Sequence, residues 1–202
     1  SGGGGRGLGR GGRGMGGPGG NGRGGRNGRG PGGGMRGDDP SDASQYSGMK
    51  EITGAEKLTQ VELNSTTAKV SPIYVKAGGE LSLRGGTIAS SASSANGILV
   101  IGKGAKASIE DVTISTTEDS SRGLYAFQKG EIYAKNVKIS TKGAHCAAMA
   151  TDRGEGVVKV DGGVLNTAGD GSPCIYSTGE LAASNVTGEA TGSEAMVIEG
   201  RN

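Results

Sequence analysis

Residues 122–145 read RGLYAFQKGEIYAKNVKISTKGAH. Three short runs place inward apolar candidates at every second position: Leu124 to Phe127, Ile132 to Ala134 and Val137 to Ile139. Lys129-Gly130 and Lys135-Asn136 stand between them as turn residues. Alternation with period two is the mark of a strand, because successive side chains point to opposite faces. Three such strands in so short a stretch leave no room for a helix, and one such unit cannot bury its apolar side chains alone.

The flanking sequence repeats the same unit. Before it stand SPIYVKAGGELSLRGGTIASSASSA from Ser71 and NGILVIGKGAKASIEDVTISTTEDSS from Asn96; after it come CAAMATDRGEGVVKVDGGVLNTAGDG from Cys146 and SPCIYSTGELAASNVTGEATG from Ser172. SEAMVIEGRN opens a further line. Repeat starts at Pro72, Gly97, Gly123, Cys146, Pro173 and Glu194 give spacings of 25, 26, 23, 27 and 21.

Stacking these lines produces columns. The first run offers as inward residues Ile73/Val75, Ile98/Val100, Leu124/Ala126, Ala147/Met149, Cys174/Tyr176 and Ala195/Val197. The second offers Leu81/Leu83, Ala107/Ile109, Ile132/Ala134, Val158/Val160 and Leu181/Ala183; the third offers Ile88, Val112/Ile114, Val137/Ile139, Leu165 and Val186. Between the second and third runs one column holds Gly85, Asp111, Asn136, Gly162 and Asn185. Gly, Asn and Asp are the residues that tolerate the left-handed backbone region, so this column predicts a sharp corner in every coil. The fold expected is all-β: a single-stranded parallel β-helix of about five coils, three strands to the coil, with hydrogen bonding between coils about 4.8 Å apart. Right-handedness is expected from the rule for parallel crossovers. An unpaired parallel edge after the last strand is an aggregation hazard, which leads us to expect further coils beyond residue 202.

The amino-terminal part has another character. Residues 1–37 hold 22 of the 44 glycines and seven arginines, with no lysine and no acidic residue, so they carry +7 against −5 for residues 38–202. Such a stretch cannot offset the entropy of ordering itself, and residues 1–45 are expected to be a disordered tail and linker. Residues 46–70 form a lead-in with a first short strand at Gln60–Leu63, and the β-helix occupies 71–202. An RGG-type segment would neutralise phosphates, but the aromatic residues that usually interleave such boxes are missing, and a weakly cationic spacer is the expected role. One His and two Cys are too few for a Cys/His zinc cluster, no apolar run is long enough for a membrane span, and no cofactor is expected.

Few residues offer chemistry. Lys103, Lys129 and Arg153 each precede a glycine and would stack as a cationic stripe suited to an acidic glycan, unless Glu80, Glu131, Glu155 and Glu180 neutralise it. An outward apolar stripe is expected from Tyr74, Leu99/Ile101, Tyr125/Phe127, Ile175 and Met196/Ile198; it would be covered by another part of the chain or serve as a partner or sugar-stacking face. His145, Cys146 and Asp152 invite a Cys–His nucleophile, yet adjacent turn residues point apart, so a buried structural thiol is expected, with Cys146 and Cys174 unbonded. Thr87, Thr113 and Thr187 share a column that Lys138 and Val164 interrupt, so no regular threonine ladder forms. Asn64 and Asn185 lie in N-x-S/T sequons.

The run from Ser121 to Glu180, with HCAAMATDRGEG and TAGDGSPCIYSTG, and SEAMVIEGRN after it, resembles bacterial adhesin-like surface proteins of the parallel β-helix, pectate-lyase-like fold. The resemblance covers roughly residues 60–202 and implies an exported or surface-attached protein without an assigned catalytic set. The expected function is therefore a non-catalytic surface module that binds a polysaccharide or a cell-surface protein, through Tyr74, Tyr125, Phe127, Lys103, Lys129, Arg153 and Asp152. The rival reading is a polysaccharide lyase or glycosidase working near Lys129, Asp152 and Arg153; a third is nucleic-acid binding through residues 1–37.

Overall fold

The computed structural model describes residues 39–152 and 155–198. Expectations for residues 1–38 and for Arg153 lie outside the described residues. The chain folds into a parallel β-solenoid of six coils, each made of one short and one long strand. The short strands are β1 (Ser47–Ile52), β3 (Val70–Val75), β5 (Ile98–Ile101), β7 (Leu124–Phe127), β9 (Met149–Thr151), β11 (Ile175–Ser177) and β13 (Met196–Ile198). The long strands are β2 (Ala55–Ser65), β4 (Glu80–Ser90), β6 (Lys106–Thr116), β8 (Glu131–Thr141), β10 (Val157–Thr167) and β12 (Glu180–Ala190). Short strands pair only with short strands and long with long, giving two sheets that run the length of the solenoid.

The long strand merges what the sequence divides into second and third runs. Each bends at the expected column: Gly85, Asp111, Asn136, Gly162 and Asn185 have φ of 76°, 57°, 50°, 80° and 54°. Gln60, with φ 48°, fills the same corner in β2, a residue type whose pattern does not announce a corner. The ladder skips this position and resumes beyond it, as in Thr59↔Arg84 followed by Val61↔Gly86. Three strands per coil therefore become two, because hydrogen bonding continues on both sides of a bend one residue wide. The lead-in is likewise a full coil, β1 and β2, and not a single short strand.

The core lies between the two sheets and follows the expected columns in the middle coils. Ile73, Ile98 and Leu124 are fully buried, as are Ile88, Ile114 and Ile139 across from them. In the later coils the register departs from the expected one. Met149 pairs with Leu124 and Ile175 with Met149, so Ile175 points inward and Tyr176 outward, the reverse of the expectation. Met196 and Ile198 also fall on the inward columns, through Ile175↔Met196 and Ser177↔Ile198. The physical reason is loop length. Between β4 and β5, β6 and β7, β8 and β9, and β10 and β11 lie seven residues each, ending at Gly97, Gly123, Ala148 and Cys174. Starting the fourth line at Cys146, two residues before Ala148, leaves its faces in place, whereas starting the fifth at Pro173, one residue before Cys174, exchanges them.

What holds these loops constant is a column of hydroxyls at the ends of the long strands. The last residue of each long strand folds its hydroxyl under the following loop: Ser90 Oγ donates to Ala95 O at 2.7 Å, Thr116 Oγ1 to Ser121 O at 2.6 Å and Thr141 Oγ1 to Cys146 O at 2.6 Å. Ser65 and Thr167 make the same bond to Val70 O and Ser172 O. All five residues are buried, so each bond gives a buried hydroxyl a backbone carbonyl as its partner.

Candidate functional site

The outer face of the long-strand sheet carries an open groove of about 640 Å³. Alternation on the first half of each long strand directs two rows outward. One row runs Ser82, Ser108, Tyr133, Lys159 and Ala182; the other runs Arg84, Glu110, Lys135, Asp161 and Ser184. Small side chains at Ser82, Ser108 and Ala182 leave the space, and the second row alternates in charge along its length.

Local contacts fix the side chains of the groove. Arg84 pairs with Glu110 at 3.3 Å and Lys159 with Glu180 at 2.8 Å. Tyr133 donates its hydroxyl to Glu131 Oε1 at 2.7 Å, and Lys106 Nζ sits 5.1 Å from the centre of its ring. That bond to the carboxylate, with some burial and the charges of Glu131 and Glu180, pushes the Tyr133 phenol up to about 12. At the corner, Asp161 accepts from Ser184 Oγ at 3.1 Å and Asn185 Nδ2 at 2.8 Å, bonds that hold its carboxyl below the usual carboxylate range. Asn136 Nδ2 donates to Asp111 Oδ1 at 2.7 Å one step along the same corner. The groove thus presents hydroxyls, one aromatic ring and fixed charges of both signs at the repeat of the coils.

The residues singled out in the sequence lie elsewhere. Tyr74, Tyr125 and Phe127 do point outward from the short-strand sheet, but they are 6 %, 0 % and 0 % exposed. They form a second apolar cluster with Leu99, Ile101, Ala147, Ala150 and Tyr46, separate from the main core. The segment Asp39–Tyr46 lies against this row: Gln128 Nε2 donates to Ser41 O at 3.2 Å, and the Tyr46 ring meets Phe127 edge-on at 6.3 Å. The outward stripe is therefore covered by the chain itself. Met196 and Ile198, expected on that stripe, are 54 % and 71 % exposed at the end of the inward columns.

The cationic stripe does not form as expected. The pairing Lys106↔Glu131 places Lys129 opposite Gly104 and not opposite Lys103, because the turn after β7 is one residue shorter than the turn after β5. Lys103 and Lys129 are both exposed. Glu80, Glu131 and Glu180 do share a column, with Lys106 and Val157 between them, whereas Glu155 falls in a turn. Asp152 accepts the Tyr125 hydroxyl at 2.7 Å, beneath the same cover. His145 is exposed in a left-handed turn position (φ 55°), while the neighbouring Cys146 is buried and bonded to backbone. Cys146 and Cys174 are free thiols.

The signal for the groove was present in the sequence. The outward positions of the second run hold serine, tyrosine and paired opposite charges, but surface rows of that kind look like ordinary solvated strand until the sheet is assembled. Among the described residues no cluster of three or more His, Cys, Asp and Glu side chains could hold a metal ion, and no helix is long and apolar enough to cross a membrane. No family model, no curated protein and no solved structure matches the chain.

Proposed function

We propose that this solenoid is a non-catalytic binding module that takes an extended polysaccharide into the groove of its long-strand sheet. The observation that carries the reading is the row Ser82, Ser108, Tyr133, Lys159 beside Arg84, Glu110, Lys135, Asp161. A linear polymer lying along the solenoid axis would meet one outward side chain from each row at every coil, about 4.8 Å apart. Tyr133 supplies a flat apolar face with a polar tip, and the serines and charged ends supply hydrogen bonds to ring hydroxyls. The charges pair with one another and do not converge on a single point, which favours holding a polymer over cleaving it. The sequence resemblance to adhesin-like surface proteins favours the same reading, with a bacterial cell exterior as the proposed setting.

A glycan-array screen of the full chain beside Tyr133→Ala and Lys135→Ala variants tests it. The expected result is saturable binding to a defined polysaccharide, weakened about tenfold by loss of the ring. No glycan bound, or binding indifferent to both substitutions, overturns the proposal. Binding that both variants retain and that vanishes at moderate salt assigns the activity to the arginine-rich residues 1–37 instead.

A further inference from the structure

The outward face of the long-strand sheet carries a regular pattern of charge. In-register parallel pairing sets its side chains on straight rows, one residue of each row from every coil. The row at the strand starts includes Glu80, Lys106 and Glu131. The row beside the corner includes Arg84, Glu110, Lys135 and Asp161. Each of these runs alternates in sign from coil to coil, and within β4, β6 and β8 the two rows carry opposite signs. The middle row is divided by size: Ser82 and Ser108 are small, Tyr133 and Lys159 large.

A twofold axis lying in this face, along the strands and between β6 and β8, lays each row on itself in reverse order. Lys106 then meets the partner's Glu131, Glu110 meets the partner's Lys135 and Arg84 meets the partner's Asp161, each pair occurring twice by symmetry. Tyr133 falls on the partner's Ser108 and Lys159 on the partner's Ser82, so each long side chain meets a space. Glu80 faces the partner's Val157. The end strands set Ala55, Lys57 and Thr59 against the partner's Glu180, the partner's Ala182 and the partner's Ser184. No like charges stand opposite one another in these rows. Moving the axis onto β8 puts Glu131 on the partner's Glu131 and Lys135 on the partner's Lys135, and moving it onto β6 puts Lys106 on the partner's Lys106. An axis along the solenoid sets Tyr133 on the partner's Tyr133 and Lys159 on the partner's Lys159. Opposed like charges penalise each of these alternatives or, in the last, large side chains collide as well.

We propose that the long-strand face closes on a second copy of this chain, forming an antiparallel twofold dimer centred between β6 and β8. Spacing favours this occupant beside charge: a second copy repeats at the same distance of about 4.8 Å, so the contacts stay in step along the whole face. A face five residues wide and six coils long buries about 1,000 Å² over both copies, the low end for a specific interface. The dimer is accordingly weak, with a dissociation constant of about 10 µM, and sensitive to salt. The proposal rests on the rows alone and not on the polysaccharide reading. Where both hold, polymer and second copy compete for one face, and dimerisation masks the groove.

The test is sedimentation equilibrium of the full chain at low salt, without glycan, at concentrations up to about 100 µM. The parent is compared with Glu110→Lys, with Lys135→Glu and with an equimolar mixture of the two variants. The parent is expected to pass from monomer to dimer mass. Each variant alone is expected to associate about tenfold or more weakly, because lysine then faces lysine, or glutamate faces glutamate, on both sides of the axis. The mixture is expected to recover the dimer, since the lysines of one variant face the glutamates of the other. Ser108→Tyr leaves every charge in place but fills the space that receives the partner's Tyr133, and it is expected to stay monomeric. A parent that remains monomeric, a single variant or Ser108→Tyr that dimerises as the parent does, or a mixture no heavier than its components overturns the proposal. Mass is read here in the absence of any glycan, so this proposal and the polysaccharide reading fail separately.

Discussion

At the scale of the residue, Cys146 shows how a repeat assigns a role to a position more than to a side chain. It stands in a column of serines that stitch one coil to the one before. Ala95 N–H donates to Ser121 Oγ at 3.1 Å, Ser121 N–H to Cys146 Sγ at 3.1 Å, and Cys146 N–H to Ser172 Oγ at 2.9 Å. Each side chain also donates to a carbonyl of the preceding coil: Ser121 to Ala92, Cys146 to Glu118 and Ser172 to Gly143. Burial pushes the Cys146 thiol from 9.0 up to about 11, so it remains the protonated donor this column needs. Cys146→Ser should therefore melt close to the parent, while Cys146→Ala leaves the Ser121 N–H and Glu118 carbonyl unpaired and should cost about 1–3 kcal/mol. Thermal melts that rank alanine at or above serine would refute this.

The element that sets the shape is the bent long strand. Its corner needs a residue that accepts positive φ, and Asn136 does so while bonding Asp111. Asn136→Gly should hold the bend with only the side-chain bond lost. Asn136→Ala should be worse than glycine by about 1–2 kcal/mol, the cost of a left-handed conformation for a residue with a Cβ. Denaturant midpoints of the two variants check the order, and an alanine variant as stable as the glycine one would contradict it. The corner column was legible because Gly, Asn and Asp are chosen by the backbone itself. The continuity of the strand across it was not, since hydrogen bonding between coils has no trace in the order of residues within one coil. Next to two of the corners, Gly86 and Gly163 carry φ of 112° and 137°, and a methyl at Gly163 would run into the Val137 carbonyl oxygen.

As a whole molecule the solenoid is close to one-dimensional: each coil contacts its neighbours, and stability rises where a coil has one on both sides. The middle strands β6 and β8 bury their inward residues completely or nearly so. At one end β12 leaves Ala183 exposed, and β13 leaves Met196 and Ile198 more than half exposed. Amide hydrogen exchange should accordingly be slowest in β6 and β8 and at least about tenfold faster in β12 and β13. Uniform protection from β4 to β13 would show that the end strands are held by more than their coil neighbours.

The order of residues alone determined the stacking of coils, the inward columns of the middle repeats and the corner. Period-two alternation and left-handed backbone preferences are local, and a repeat displays them several times over. Only the tertiary structure decided which outward face is open. The covering of Tyr125 and Phe127 by Asp39–Tyr46 joins Ser41 to Gln128, 87 residues apart, and no local pattern encodes such a contact. The register of the later coils also required the structure, because a line drawn one residue out still alternates, yet exchanges the faces of Ile175 and Tyr176. The groove waited on assembly for the same reason: its rows are ordinary surface residues until parallel pairing brings Ser108, Tyr133 and Lys159 side by side.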